Sequence, residues 1–158
     1  MSEVVAIIPA RSGSKGVKDK NIKDLHGHSL LEWSINAAKR SQLIDRVFIS
    51  TDSPEYARIG EKYGAEAPFL RPDYISGDTS SDLDFIIHAI EEFNKMDFYP
   101  EYLVHIRPTT PIRDPQVIDT AISIFQNDNH FNSLRSVHKM SESSYKTFEI
   151  NNGSLTPL

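Results

Sequence analysis

The sequence predicts an α/β protein on a mostly parallel sheet, and three observations carry that reading. Apolar runs of strand length recur at Val4–Pro9, Arg46–Thr51 and Tyr102–Ile106. They are continuous, as expected of strands buried on both faces. Segments of helical periodicity separate them, and strands alternating with helices imply parallel strands joined by right-handed crossovers.

The elements follow in order. After the strand Val4–Pro9, Leu30–Arg40 reads as a helix with Leu31, Ile35 and Ala38 on one face and basic residues closing it. Arg46–Thr51 is the second strand. Ser53 reads as an N-cap with Pro54 at the first helical position, and Gly64 stops that helix after Tyr63. Ser81–Lys95 is a further helix, in which Ser81 and Asp84 form a pair like a capping box. Leu83, Ile86, Ile87 and Ile90 repeat there at the spacing of an apolar helix face. Tyr102–Ile106 is the third strand. Asp114 with Pro115 opens a helix whose face is Ile118, Ala121, Ile122 and Phe125. Leu134–Val137 is expected as a fourth, shorter strand and Tyr145–Ile150 as a fifth. The tail "NNGSLTPL" is polar and turn-rich and reads as a connection.

Bulk properties narrow the function classes. The 158 residues suit one domain with one core. Hydrophobic residues at 39% and charged residues at 25% are ordinary for a soluble globular chain. The formal net charge of −5 argues against a general nucleic-acid-binding face, so a basic cluster here is local and suits a small anion. Without cysteine there are no disulfides, thiolate nucleophiles or cysteine-based zinc sites. No apolar run approaches the ~20 residues of a membrane span, and the N-terminus is too short and acidic for a signal peptide. A cytosolic protein with neither nucleic-acid nor membrane partners is expected. The six histidines give little support for a metal site; only His26 and His28 are close, and His105 reads as packed.

Ligands of parallel sheets bind outside the carboxyl ends of the strands, so the loops there are the ones to read for chemistry. The first is "PARSGSKGVKDKN". Gly13 and Gly16 allow tight backbone with exposed N–H groups that can cradle phosphate oxygens. Arg11 can grip a phosphate bidentately, Lys15 and Lys20 supply point charges, and Ser12 and Ser14 add hydroxyl donors. Lys18 lies outside the glycine-bounded turn and is expected to face solvent. The bland reading is a solvated loop with incidental lysines, and its place after the first strand favours the phosphate reading. Neither a P-loop nor a G-x-G-x-x-G fingerprint is present, so this is a phosphate loop of another kind.

The second loop, "STDSPE", carries Asp52, which reads first as a cap complementing the helix dipole. The third, "IRPTTPIRDP", is stiffened by prolines and offers Arg107, Thr109, Thr110 and Arg113 for substrate positioning. A long irregular segment, "LRPDYISGDTSSD", contributes Arg71 and the hydroxyls of Thr79, Ser80 and Ser81.

"IPARSGSKGVKDKNI" resembles the opening signature of the acylneuraminate cytidylyltransferases, the CMP-sialic acid synthetase family. The match continues through "LLEWSINAAKRS", "VFISTDS", "YGAEAPFLRP", "GDTSSD" and "RPTTPIRDP". The resemblance implies a Rossmann-like three-layer α/β/α nucleotidyltransferase fold. It implies transfer of CMP from CTP to a nine-carbon nonulosonic acid, with release of pyrophosphate. Arg11, Ser12, Gly13, Ser14, Lys15, Gly16, Lys20 and Asn21 would form the nucleotide and triphosphate loop, with Arg11, Lys15 and Lys20 neutralising the leaving group. Arg71, Ser80, Ser81 and Arg107 would hold the nucleotide. Arg107 stands where sialic-acid-specific members often have Gln, which is compatible with a related nine-carbon sugar. Mg²⁺ would bridge phosphate oxygens. Family members are longer, and their later part carries metal-binding aspartates, much of the sugar pocket and a dimerisation segment. Residues 1–158 are therefore expected to be the nucleotide-binding portion of a homodimeric enzyme, with no metal ligands of their own and inactive alone. The rival expectations are a nucleotide-binding module without catalysis, a transferase for another sugar acid such as Kdo, and a sugar-1-phosphate nucleotidyltransferase using another base.

Overall fold

The computed structural model describes residues 3–128, 130–137, 148–151 and 154–157. Its centre is a sheet of three parallel strands: β1 (Val4–Pro9), β4 (Arg46–Ser50) and β5 (Tyr102–His105), in the order β4-β1-β5. Val5 lies beside Arg46 on one side and Leu103 on the other, so β1 is central. A two-stranded hairpin, β2 (Asp24–Leu25) with β3 (His28–Ser29), precedes helix α1 (Leu30–Lys39). Its turn uses His26 and Gly27, both at positive φ. Helices α2 (Pro54–Lys62), α3 (Asp82–Lys95) and α4 (Pro115–Gln126) complete the core.

The uninterrupted apolar run of β1 is explained by burial on both faces. Val4, Ala6 and Ile8 pack with Leu31 and Ile35 of α1 and with Ile118 and Ile122 of α4. Val5 and Ile7 pack with Phe48 of β4 and with Phe85, Ala89 and Phe93 of α3. The result is three layers, with α1, α2 and α4 on one face and α3 on the other. Each fully buried Ile or Val contributes about 1.5–3 kcal/mol, which makes β1 a rigid base for the loop that follows it.

The capping expectations hold. Ser53 accepts from the Tyr56 N–H at the start of α2, with Pro54 beside it, and Asp114 accepts from the Gln116 N–H. Ser81 and Asp84 complete a reciprocal capping box, with bonds of 3.3 Å and 2.7 Å. Gly64 takes φ 87, and a Cβ there would strike the Lys39 side chain.

Three expectations are corrected. Leu134–Val137 is not a strand. Ile150 does lie in a strand, but β6 (Phe148–Asn151) pairs antiparallel with β7 (Ser154–Pro157) in a separate hairpin. The tail thus contains a strand, while residues 145–147 of the expected fifth strand lie outside the described residues. Finally, Leu83, Ile87 and Ile90 of α3 are exposed, and the helix buries Phe85, His88, Ala89 and Phe93 instead. Both faces are apolar, and the larger aromatic area takes the core.

Candidate functional site

The topology creates a crevice above β1. From this central strand the chain crosses first to β4 on one side and later to β5 on the other, so the strand order reverses at β1. Open parallel sheets bind ligands at such a reversal, outside the carboxyl ends of the strands. A cavity of about 450 Å³ lies there, with Arg11, Lys15, Lys20, Arg71 and Arg107 among its walls. Ser14, Gly16, Asn21, Ser80, Ser81 and Thr109 also border it. A second cavity of about 290 Å³ adjoins it and adds Ser12, Gly13 and Asp52. Lys18 is exposed and borders neither.

The first loop is held from three directions. Gly13 sits at φ 66, a conformation that favours glycine, whereas Gly16 has ordinary backbone and open space where a Cβ would go. The Asp52 carboxylate accepts from the Ser12 N–H at 2.7 Å and from the Ser12 hydroxyl at 2.5 Å. This corrects the capping role expected for Asp52: Ser53 caps α2, and Asp52 ties the first loop to the end of β4. Asn21 is buried and donates its side-chain N–H to the Arg11 carbonyl at 3.1 Å, so it braces the loop from below. Asp19 at φ 51 opens the one-turn 3₁₀ helix Lys20–Ile22, and the Tyr56 hydroxyl donates to its carboxylate at 3.2 Å. Burial, then the Asp19 charge, pushes the Tyr56 hydroxyl up to about 12.

Arg71 forms the cleft floor. The stretch before it runs parallel to β4 through the Ile49 N–H to Glu66 carbonyl bond, and the Arg71 N–H reaches the Thr51 carbonyl at 2.7 Å. The side chain is only 6% exposed. It donates to the Ser50 hydroxyl at 3.1 Å and the Ser50 carbonyl at 2.7 Å, and lies 4.9 Å from the centre of the Phe85 ring. No carboxylate pairs with it among the described residues. Desolvation lowers its pKa to about 10, with Asp52 opposing and Arg11 adding to the shift. A buried cation without an acidic partner favours an incoming anion.

The third loop divides. Arg107 reaches into the cleft and pairs with Asp82 in the first turn of α3. Thr110 closes a turn through its N–H to the Arg107 carbonyl at 3.3 Å, and Arg113 donates to the same carbonyl at 2.8 Å. Neither Thr110 nor Arg113 borders the cavities; they shape the loop that presents Arg107. Burial lowers the Arg113 pKa, and burial followed by Arg113 lowers that of His105 beneath it. His105 packs edge-on against Phe85, as its strand position suggested. Ser81 is spent on its cap, which leaves Ser80 as the freer hydroxyl of that turn.

Four residues of the site escaped sequence reasoning. Asp52 has the sequence context of a helix cap. Asp78 was hidden within "GDTSSD", Asp82 within the helix start and Phe85 on the neglected face of α3. The carboxylates of Asp52, Asp78 and Asp82 are engaged by Ser12, by Arg11 with Lys15, and by Arg107. Among the described residues no group of three or more His, Asp or Glu side chains could hold a metal ion. These residues offer no all-protein cage, and Mg²⁺ at nucleotide sites is ordinarily held by one or two carboxylates together with substrate phosphates.

A central parallel sheet with a cationic, hydroxyl-rich crevice at its strand reversal defines an α/β protein with a candidate anion site. The cytidylyltransferase family model matches residues 5–152, and the chain belongs to that family. It is 35% identical over 143 residues to the N-acylneuraminate cytidylyltransferase of Escherichia coli O18:K1:H7, covering 90% of this chain and 33% of that protein. It is 36% identical over 121 residues to the CMP-N,N'-diacetyllegionaminic acid synthase of Legionella pneumophila, covering 77% of this chain and 52% of the relative. The chain thus spans about a third to a half of these relatives' length. Among solved structures, CMP:2-keto-3-deoxy-manno-octonic acid synthetase complexed with CTP superposes with a TM-score of 0.70 at 19% identity, over 82% of this chain and 49% of that one. A 4-diphosphocytidyl-2C-methyl-D-erythritol synthase gives 0.68 at 10% identity, over 99% and 68%. These two likenesses concern the fold, which is that of α/β nucleotidyltransferases.

Proposed function

We propose that this chain is the nucleotide-binding portion of an enzyme that transfers CMP from CTP to a nonulosonic acid and releases pyrophosphate. The observation that carries the proposal is the crevice where Arg11, Lys15, Lys20, Arg71 and Arg107 converge around about 450 Å³. Relatives named for sialic, legionaminic and pseudaminic acids support the nine-carbon acid as acceptor class.

In this reading the sugar hydroxyl attacks the α-phosphorus in line. A new phosphorus–oxygen bond forms as the bond to the oxygen bridging to the β-phosphate breaks, and the hydroxyl proton passes to water. Negative charge grows on the departing pyrophosphate, so catalysis is positioning plus charge neutralisation. Arg11 and Lys15 meet that charge, Lys20 supplies a further cation at the cleft, and Arg71 with Ser80 holds the nucleotide. Thr109 borders the same space from the third loop, where Arg107 faces the substrates. Mg²⁺ accompanying the triphosphate, a homodimer as the working assembly and a cytoplasmic location belong to the same proposal. No helix among the described residues is long and apolar enough to cross a membrane.

The test has two stages. Calorimetric titration of this chain should show CTP binding more tightly than ATP or GTP; equal affinities would overturn the choice of base. Pyrophosphate release by the longer protein, with CTP and a panel of nonulosonic acids, should then identify the acceptor. Release with Kdo alone would move the enzyme to another acceptor class.

A further inference from the structure

Arg11 and Lys15 share one carboxylate. Asp78, in the irregular segment before α3, accepts from the Arg11 guanidinium at 2.7 Å, and its second oxygen meets the Lys15 ammonium. Arg11 is further steadied by the Ser76 carbonyl at 3.3 Å. Arg11, Lys15 and Asp78 all border both cavities, so their contact stands between the two. It is also open to water: the side chains are 33%, 82% and 39% exposed. Exposed ion pairs of this kind are weak and exchange partners readily.

We infer that Asp78 is a specificity residue of the proposed nucleotide site. It occupies Arg11 and Lys15 until a ligand carrying more negative charge than one carboxylate displaces it, and it retakes them as pyrophosphate leaves. The inference rests on the triphosphate reading of the cleft.

Carboxylate and polyphosphate compete for the same two cations. A carboxylate brings one negative charge to two cations. A diphosphate group brings more charge and more acceptor oxygens, in a geometry that suits the guanidinium fork. Asp78 cannot stay where it is once phosphate oxygens arrive, because like charges at contact distance repel. Lys15 and then Arg11 hold the Asp78 carboxyl below its usual range, so it is ionised and competing at neutral pH. A ligand without phosphates leaves the contact intact. The contact therefore weakens every polyphosphate that uses these two cations and assists its departure.

Asp78→Asn keeps the side-chain shape and removes the charge. The probes are CTP, inorganic pyrophosphate and cytidine, titrated calorimetrically against the whole chain. Asp78→Asn should bind CTP and pyrophosphate about three- to tenfold more tightly, the scale expected of exposed ion pairs, and leave cytidine unchanged. Asp78→Ala should shift the same way. Glu61→Gln, the same charge change on the exposed side of α2, should shift none of the three. If Asp78→Asn binds pyrophosphate equally or more weakly while the unaltered chain binds it well, Asp78 braces the loop and the inference fails alone. If the unaltered chain binds neither CTP nor pyrophosphate, the proposed function fails and takes the inference with it.

Discussion

Two arginines at opposite ends of β4 have opposite surroundings. Arg46 stands at the amino end of the strand, bonded to both oxygens of Glu66 at 2.9 Å and 2.6 Å. Glu3 lies 3.9 Å away, and the guanidinium covers the rings of Phe98 and Phe48 at 4.3 Å and 4.8 Å. Its pKa is raised, chiefly by the Glu66 bond. Arg71 stands at the carboxyl end, more deeply buried, with neutral oxygens as its hydrogen-bond partners. Its pKa is lowered by burial. The fold pairs one cation with a carboxylate and leaves the other with neutral partners only. The lesson is that an arginine's partners, more than its burial, separate a structural role from a binding one.

The largest effects are expected when each arginine is replaced by Met. Arg71→Met should weaken CTP binding by about 3–5 kcal/mol, the scale for truncating a buried charge partner. Its melting temperature should change little, since relief of a buried cation without an acid offsets the two hydrogen bonds lost to Ser50. Arg46→Met should leave CTP affinity alone and lower stability by about 1 kcal/mol, through the lost pair and ring contacts. Titration and thermal melts read both arms. A melting loss as large for Arg71→Met as for Arg46→Met would erase the distinction.

Within the first loop the same contrast separates Arg11 from Lys18. In the enzyme proposed above, Arg11→Ala should cost about 2–4 kcal/mol in kcat/KM, as for a lost preorganised charge stabiliser. Lys18→Ala should cost less than about 0.5 kcal/mol, as a surface change does. Equal losses would mean the loop acts as a diffuse positive field.

The two glycines of this loop differ in the same way at the backbone. Gly13→Ala should destabilise by about 1–2 kcal/mol, because its φ is left-handed. Gly16→Ala should change the denaturation midpoint little, since its Cβ would enter open space.

The smallest effect expected is on pH dependence. Burial lowers the pKa of His105, so the unfolded chain takes up that proton first as pH falls. Stability from this group is complete above its ordinary pKa of about 6.5 and is lost as pH drops through the folded value. The melting temperature should decline below about pH 6.5, and His105→Gln should flatten that decline.

Much of the fold was legible because local chemistry agrees with it. Ser53 with Pro54, Ser81 with Asp84, and Asp114 with Pro115 each mark a helix start through contacts only a few residues long. The register of α3 was not, because Leu83, Ile87 and Ile90 fit an apolar face as well as Phe85, Ala89 and Phe93 do. Only docking against Phe48 and Ile7 chooses between them. The role of Asp52 was hidden for a similar reason: a carboxylate before a helix suits a cap, and its true partner, Ser12, is 40 residues away.

By itself the sequence determined the alternation of buried strands and helices, the helix starts and the concentration of cations and glycines after β1. Those features depend on periodicity, side-chain hydrogen bonding within a turn and backbone freedom, all of which act over a few residues. Only the tertiary structure decided that β1 is central, that Arg71 and Arg107 join Arg11 in one crevice, and that Asp78 stands against Arg11 and Lys15. Those outcomes depend on which strands pair and which helix face wins burial. Such choices are made by areas and charges that meet only when the chain has closed.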